Sequence, residues 1–311
     1  MQALQFCLEM TVMMGAGVLA GRCGIVDRTF TRKFSALLVD LLIPCMAFSV
    51  MVKNYSAGDL TTSLAMMLGC LAVVGTGLLV ALAVRRLHRR KDDLSYLLLP
   101  MTMFMNANII GFPVIQALYG DRALVYANFF MIAYRPLFYT LMPILTQGID
   151  SGRAASWKLS LPHALKAPSI YATGLGLLFA LTGLPIPAPI FAAISKMGDT
   201  AVPLGMLACG MYISDTKLRY ALSKMDSWIP VLSRNLLTPT LVLILFMLLH
   251  VPGNITRLCV IFSALPIPSM SALYASQYGR DSTLAASAIF LSTASCVLTL
   301  PIWGRLLELL T

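Results

Sequence analysis

Asn106-Ala-Asn-Ile-Ile-Gly-Phe-Pro-Val-Ile-Gln-Ala-Leu-Tyr-Gly120 sits inside an apolar stretch and interrupts it. Pro113 has no amide hydrogen for a helix and crowds the turn before it, while Gly111 lets the backbone unwind. Ser263-Ala-Leu-Pro-Ile-Pro-Ser269 breaks a second apolar stretch in the same way. In hydrocarbon no water replaces the lost backbone partners, so such a break survives only where it is buried in protein or lines a cavity. Two broken membrane helices therefore organise the reading of the whole chain, provided that the chain lives in a membrane.

Composition meets that condition. Of 311 residues, 58% are hydrophobic and 12% charged, with a mean hydropathy of +0.81. A soluble domain runs at roughly 45–50% apolar and about 25% charged. This balance excludes a soluble domain, a disordered chain and a secreted disulfide scaffold. The seven cysteines are scattered through apolar runs with no metal-binding spacing, so they read as small core residues. No disulfide, metal or cofactor is expected.

A spanning helix needs about 20 apolar residues. Stretches of that kind fall at 2–21, 33–52, 61–84, 95–118, 123–147, 168–186, 190–213, 229–249, 257–278 and 283–307, ten in all. The first lacks a basic leader and reads as a span rather than a cleaved signal. With ten spans, sixteen of the 23 Lys and Arg fall in loops on one side and four on the other. Arg135, Lys196 and Arg234 lie within spans. The positive-inside rule assigns the sixteen to the cytoplasm and both termini to the outside. The net charge of +10 is then loop charge facing anionic headgroups, and no nucleic-acid partner is needed.

Asp40-Leu-Leu-Ile-Pro44 in span 2 and Asp199-Thr-Ala-Val-Pro203 in span 7 share a D-x-x-x-P pattern five spans apart. Span 4 ends at Tyr119-Gly120-Asp121 and span 9 at Tyr278-Gly279-Arg280-Asp281, again five spans apart. Two five-helix halves must cross the bilayer in opposite senses. The expectation is an all-α polytopic membrane protein with a 5+5 inverted repeat, residues 1–147 and 168–311, joined by a cytoplasmic linker at 148–167. Broken helices at matched places in inverted repeats are transporter architecture, with a solute held near the midplane.

At these residues the chain resembles the auxin efflux carrier family, whose members include plant auxin carriers and bacterial malonate and malate permeases. Residues 106–120 resemble the family's fourth-helix motif, Ser263-Ala-Leu-Pro266 its ninth-helix motif, and Gly198-Asp199 and Arg234 its seventh and eighth helices. The resemblance covers essentially the whole chain. It implies a ten-helix fold related to sodium/bile-acid symporters and cation/proton antiporters. Helices 1, 2, 6 and 7 would form a scaffold, often homodimeric, and helices 3–5 with 8–10 a mobile transport domain. A small organic anion, a mono- or dicarboxylate such as malonate, malate or an auxin-like acid, would sit at the crossing of helices 4 and 9. Asn106 matches the family's carboxylate-contacting asparagine. The linker is much shorter than in typical plant carriers, which implies a prokaryotic member, and Pro268 stands where plant members tend to have glycine.

The expected substrate-binding set is Asn106, Asn108, Gly111, Pro113, Arg135, Pro266, Pro268 and Ser269. Asn106 and Asn108 would point about 200° apart on an intact helix, so Asn106 reads as the donor to the solute and Asn108 as a cap on the broken backbone. Arg135 at mid-span is either a fork for a substrate carboxylate or a structural partner of Asp40, Asp199 or Glu9. Asp40 and Asp199 read as buried carboxylates able to carry a coupled proton, or simply as structural, with Lys196 one turn before Asp199. Arg234, a few residues inside span 8, reads either as structural, snorkelling to the cytoplasmic interface, or as functional. These four complete the coupling or ion-pair candidates. No ATP-binding loop is present, so a proton or sodium gradient, or the solute itself, would supply the energy. The rivals are a sodium-coupled symporter of bile-acid type and a non-transporting membrane sensor. An enzyme is not expected, for no acid, base or metal constellation appears.

Overall fold

The computed structural model describes residues 2–88, 92–148, 168–214 and 225–310, without the side chains of residues 2–11, Arg28, Ala57 and Ile213. The readings of Glu9, of the loop arginines at 89–90 and of the linker at 149–167 therefore lie outside what is described. Among the described residues every regular element is a helix. Five are apolar and at least 18 residues long: Thr29–Asn54, Leu60–His88, Asp93–Gln147, Met225–Leu248 and Ser282–Leu310. The remaining spans are shorter or broken, and the protein is a polytopic helical membrane protein.

The chain runs through α1 (Gln2–Arg22), α2 (Arg28–Leu37), α3 (Ile43–Asn54), α4 (Leu60–His88), α5 (Asp93–Met103) and α6 (Phe112–Gln147). It continues with α7 (Pro168–Thr182), α8 (Ala188–Asp199), α9 (Ala201–Ser214), α10 (Trp228–Leu232) and α11 (Thr238–Leu248). It ends with α12 (Gly253–Ala264), α13 (Met270–Gln277) and α14 (Ser282–Leu310). Widened π-turns at Leu38–Leu42, Ala107–Gly111 and Ser233–Leu237 precede Pro44, Pro113 and Pro239. A proline leaves the carbonyl four residues back without its donor, and a π-turn lets the ladder slip past that gap.

Segment Asp93–Gln147 is 55 residues long, about twice what one crossing takes. It reverses at Gly120, whose φ of 76° and ψ of −178° suit only glycine. Gly279, between α13 and α14, also has a positive φ of 67°. Its amide bonds Ser276 O while the amide of Arg280 bonds Ala275 O, which closes the end of α13.

The residues fall into two compact units. The first comprises Met1–Leu68, Asn108–Ala133 and Leu165–Asp215. Here α1 lies on α9 backbone to backbone: a Cβ on Gly17 would run into Leu207 O, and one on Gly210 into Met14 O. Small residues at such a crossing are how membrane helices gain close packing without a hydrophobic drive. Asp59, at the start of α4, accepts from the main chain and hydroxyl of Ser56, from Tyr126 Oη at 2.7 Å and from Arg122 at 3.1 Å. The second unit comprises Gly69–Ala107, Tyr134–Ala164 and Thr216–Thr311. One end of it is tied by Arg280, which bonds Thr146 O, Gln147 O and the Asp93 carboxylate and lies 3.8 Å over the Tyr96 ring.

Candidate functional site

The break in span 4 begins where α5 stops at Met103. Phe104 turns extended (φ −109°, ψ 156°), and its amide still reaches Pro100 O. Met105 then has no helical partner on either side. The Tyr134 hydroxyl supplies both: it accepts from Met105 N at 2.9 Å and donates to Met105 O at 2.6 Å. The next amide, Asn106 N, donates to Pro266 O at 2.8 Å.

Span 9 is repaired by the same accounting. Helix α12 ends at Ala264, and Leu265 is extended (φ −65°, ψ 151°). Pro266 and Pro268 have no N–H, so two of the donors that a break would orphan do not exist. Ile267 N, between them, donates to Ser292 Oγ at 3.1 Å, and Ser271 N returns the chain to helix on Pro268 O. Arg234 takes carbonyls at the ends of both helices. Nε bonds Leu265 O at 3.1 Å, and the two terminal nitrogens bond Thr102 O and Phe262 O, each at 3.0 Å.

The two broken spans therefore meet through one main-chain hydrogen bond, flanked by an asparagine side chain. Asn106 Nδ2 lies 3.4 Å from Ser269 Oγ, a long and weak contact. A carboxylate oxygen would be a better acceptor for that amide than a neutral hydroxyl at this distance.

Of the expected substrate-binding residues, the structure brings Asn106, Pro266 and Ser269 together, with Pro268 next in the chain. Asn108, Gly111 and Pro113 belong to the first unit, where Pro113 and Ile109 O face Gly205 of α9. Arg135 is buried in the second unit at 3% exposure. Two expectations are corrected. Arg234 does not reach an interface: it is fully buried, because the carbonyls of two interrupted helices need its donors. Asp40 and Asp199 are exposed on the first unit rather than buried, as is Lys196, and no ion pair joins Lys196 to Asp199. Asp40 sits on the outer side of the π-turn ahead of Pro44, and Asp199 ends α8 where the helix breaks. Tyr134 and Ser292 are functional contacts that lie outside the sequence candidates. The signal for Tyr134 was a phenol deep in an apolar span, which must find a partner when buried; Ser292 offered none.

Residues 3–304 match the membrane transport protein family. The chain belongs to that family. It is the auxin efflux carrier family of the sequence resemblance. The membrane transport proteins similar to it include an uncharacterized transporter of Methanocaldococcus jannaschii, 23% identical over 309 residues, covering 96% of this chain and 97% of that one. A second, an uncharacterized transporter of Methanothermobacter thermautotrophicus, is 24% identical over 309 residues and covers 99% of both chains.

Proposed function

We propose that this membrane transport protein is a secondary carrier of small organic anions, mono- or dicarboxylates, that binds its solute beside Asn106 and works by alternating access. The Asn106 N to Pro266 O bond carries the reading, because it joins two interrupted helices at one point. Around that point the Asn106 amide and Ser269 hydroxyl offer hydrogen bonds to a carboxylate, and Pro266 and Pro268 hold the backbone open. Asn108, Gly111 and Pro113 follow along span 4, and Arg135 would fix a second carboxylate. The reading includes the inverted repeat of 1–147 and 168–311, supported by the matched glycine turns at Gly120 and Gly279. It includes a scaffold of spans 1, 2, 6 and 7 that pairs as a homodimer, supported by the exposed Asp40, Lys196 and Asp199, since charges at span depth are costly against lipid. It also includes a cell-membrane location with both termini outside, and coupling to a proton or sodium gradient through the same four charged candidates, Arg234 among them.

The test is uptake of radiolabelled malonate, malate and indole-3-acetate into proteoliposomes, with a pH jump, a sodium jump or neither, for the wild type and Asn106→Ala. Saturable flux that falls at least about tenfold in the variant is expected, the scale of one lost charge-assisted hydrogen bond. Saturable flux unchanged by the substitution overturns the assignment of the site. Absence of flux for every acid overturns the substrate class.

A further inference from the structure

Arg234 enters the transport reading only as a coupling candidate, and its surroundings give it a further use. It is fully buried, and its acceptors are three main-chain carbonyls: Thr102 O at the end of α5, and Phe262 O and Leu265 O at the end of α12. Spans 3, 4, 5, 8, 9 and 10 contain no Asp or Glu at all. The ion pairs His88–Asp92, Arg280–Asp93 and Arg305–Glu308 of this unit lie at span ends, and the three acceptors of Arg234 are all carbonyls. A desolvated guanidinium is normally held by a carboxylate, because carbonyl dipoles alone offset only part of the cost of burial.

The positions of the carbonyls give that charge a use. Helix C-termini carry partial negative charge and N-termini partial positive charge, each roughly half a unit. Arg234 holds the C-terminal ends of both interrupted helices, so it offsets both negative ends together. Thr102 lies four residues before Asn106, and Leu265 is bonded to Pro266, whose carbonyl takes the Asn106 amide. With the negative ends offset, the field at this junction is set by the amide-bearing start of α13 and by the guanidinium itself. Without the guanidinium, the negative ends would cancel that start.

We propose that Arg234 sets the sign of the field at the junction of Asn106 and Pro266, and so decides that the solute is an anion. The proposal makes Arg234 a specificity-determining residue that acts through space without touching the solute. It deepens the transport reading and rests on it for where the solute binds. A carboxylate is selected over an uncharged amide of the same shape because only the carboxylate supplies the negative charge that these spans lack.

The experiment measures thermal unfolding midpoints of the purified protein against titrated malonate, malate and indole-3-acetate, each beside its amide, malonamide, malamide and indole-3-acetamide. Ligand that binds the folded state raises the midpoint, so each titration gives an affinity without requiring transport. At least one acid is expected to stabilise the wild type saturably and better than its amide. Arg234→Lys keeps that preference, and Arg234→Met loses it by on the order of 30-fold, the weight of unit charges about 8 Å apart at an effective dielectric of about 20. Arg234→His guards against a Met variant that does not fold: its preference should fall as pH rises, beyond any change in the wild type, which a purely structural role would not produce. Retention of the acid preference in Arg234→Met, a pH-independent preference in Arg234→His, or no stabilisation of the wild type by any acid overturns the proposal. Binding of an acid with the preference intact but without flux overturns the transport reading and upholds this one.

Discussion

The Tyr134 hydroxyl satisfies both main-chain groups of Met105, accepting from its N–H and donating to its carbonyl. Met105 precedes the asparagine whose amide joins the two broken spans, so one phenol holds the unwound backbone in register with its partner. Tyr134→Phe keeps the ring, which contacts Phe104 and Phe138 edge-on and stacked, and removes the hydroxyl with its two hydrogen bonds to Met105. Each buried group left unpaired costs about 1–3 kcal/mol. The variant should melt several degrees lower and lose acid affinity together with Asn106→Ala. An unchanged midpoint in a detergent-solubilised melt would show that Met105 finds other partners.

Gly15 and Gly17 sit two residues apart on α1 and should answer opposite ways to the same methyl group. A Cβ at Gly17 meets the α9 backbone at Leu207 O, which cannot move aside as a flexible side chain would. At Gly15 nothing lies within 4 Å. Gly17→Ala should therefore destabilise by about 1–3 kcal/mol through overpacking, whereas Gly15→Ala should be neutral or stabilise by about 0.5–1 kcal/mol from helix propensity. Parallel melts of the two variants check this, and equal midpoints would refute the close approach of α1 and α9.

Asp59 predicts a pH dependence. Burial pushes its carboxyl up, but hydrogen bonds from Tyr126, Ser56 and Arg122 outweigh burial and bring it to about 2, below the ordinary 3.8. A carboxyl depressed in the folded state stabilises fully above its unfolded pKa and loses that contribution as pH falls towards the folded one. The contribution, at most about 2 kcal/mol because Arg122 is largely in solvent, should be intact at neutral pH and fade as acidity increases below about pH 4. Melting Asp59→Asn beside the wild type checks it: the gap between them should close on acidification, and a gap constant to pH 2.5 or so would sink it.

Composition, the ten apolar stretches and the two proline-interrupted motifs determined that this is a helical membrane protein with breaks in spans 4 and 9. Those properties are local. Apolar length decides whether a segment can span, and a missing amide hydrogen removes a helical bond whatever surrounds it. Pro136, Pro143 and Pro301 lie inside continuous helices, whereas paired breakers such as Gly111 with Pro113 and Pro266 with Pro268 interrupt theirs. The motif around Asn106 and Pro266 was readable for the same reason. What repairs each break was decided only by the tertiary structure. Tyr134, Ser292 and Arg234 are distant in sequence from the groups they satisfy, and no spacing rule links a phenol at 134 to an amide at 105 or a guanidinium at 234 to carbonyls at 102, 262 and 265. In the sequence alone Arg234 fits a snorkelling side chain, because distance from the span end is the only information there. Burial is set by which helices surround a residue, and here carbonyls at the ends of both helices outweigh the pull of the interface. Asp40 and Asp199 failed in the opposite sense, since membership of a span says nothing about which face of the helix a residue occupies.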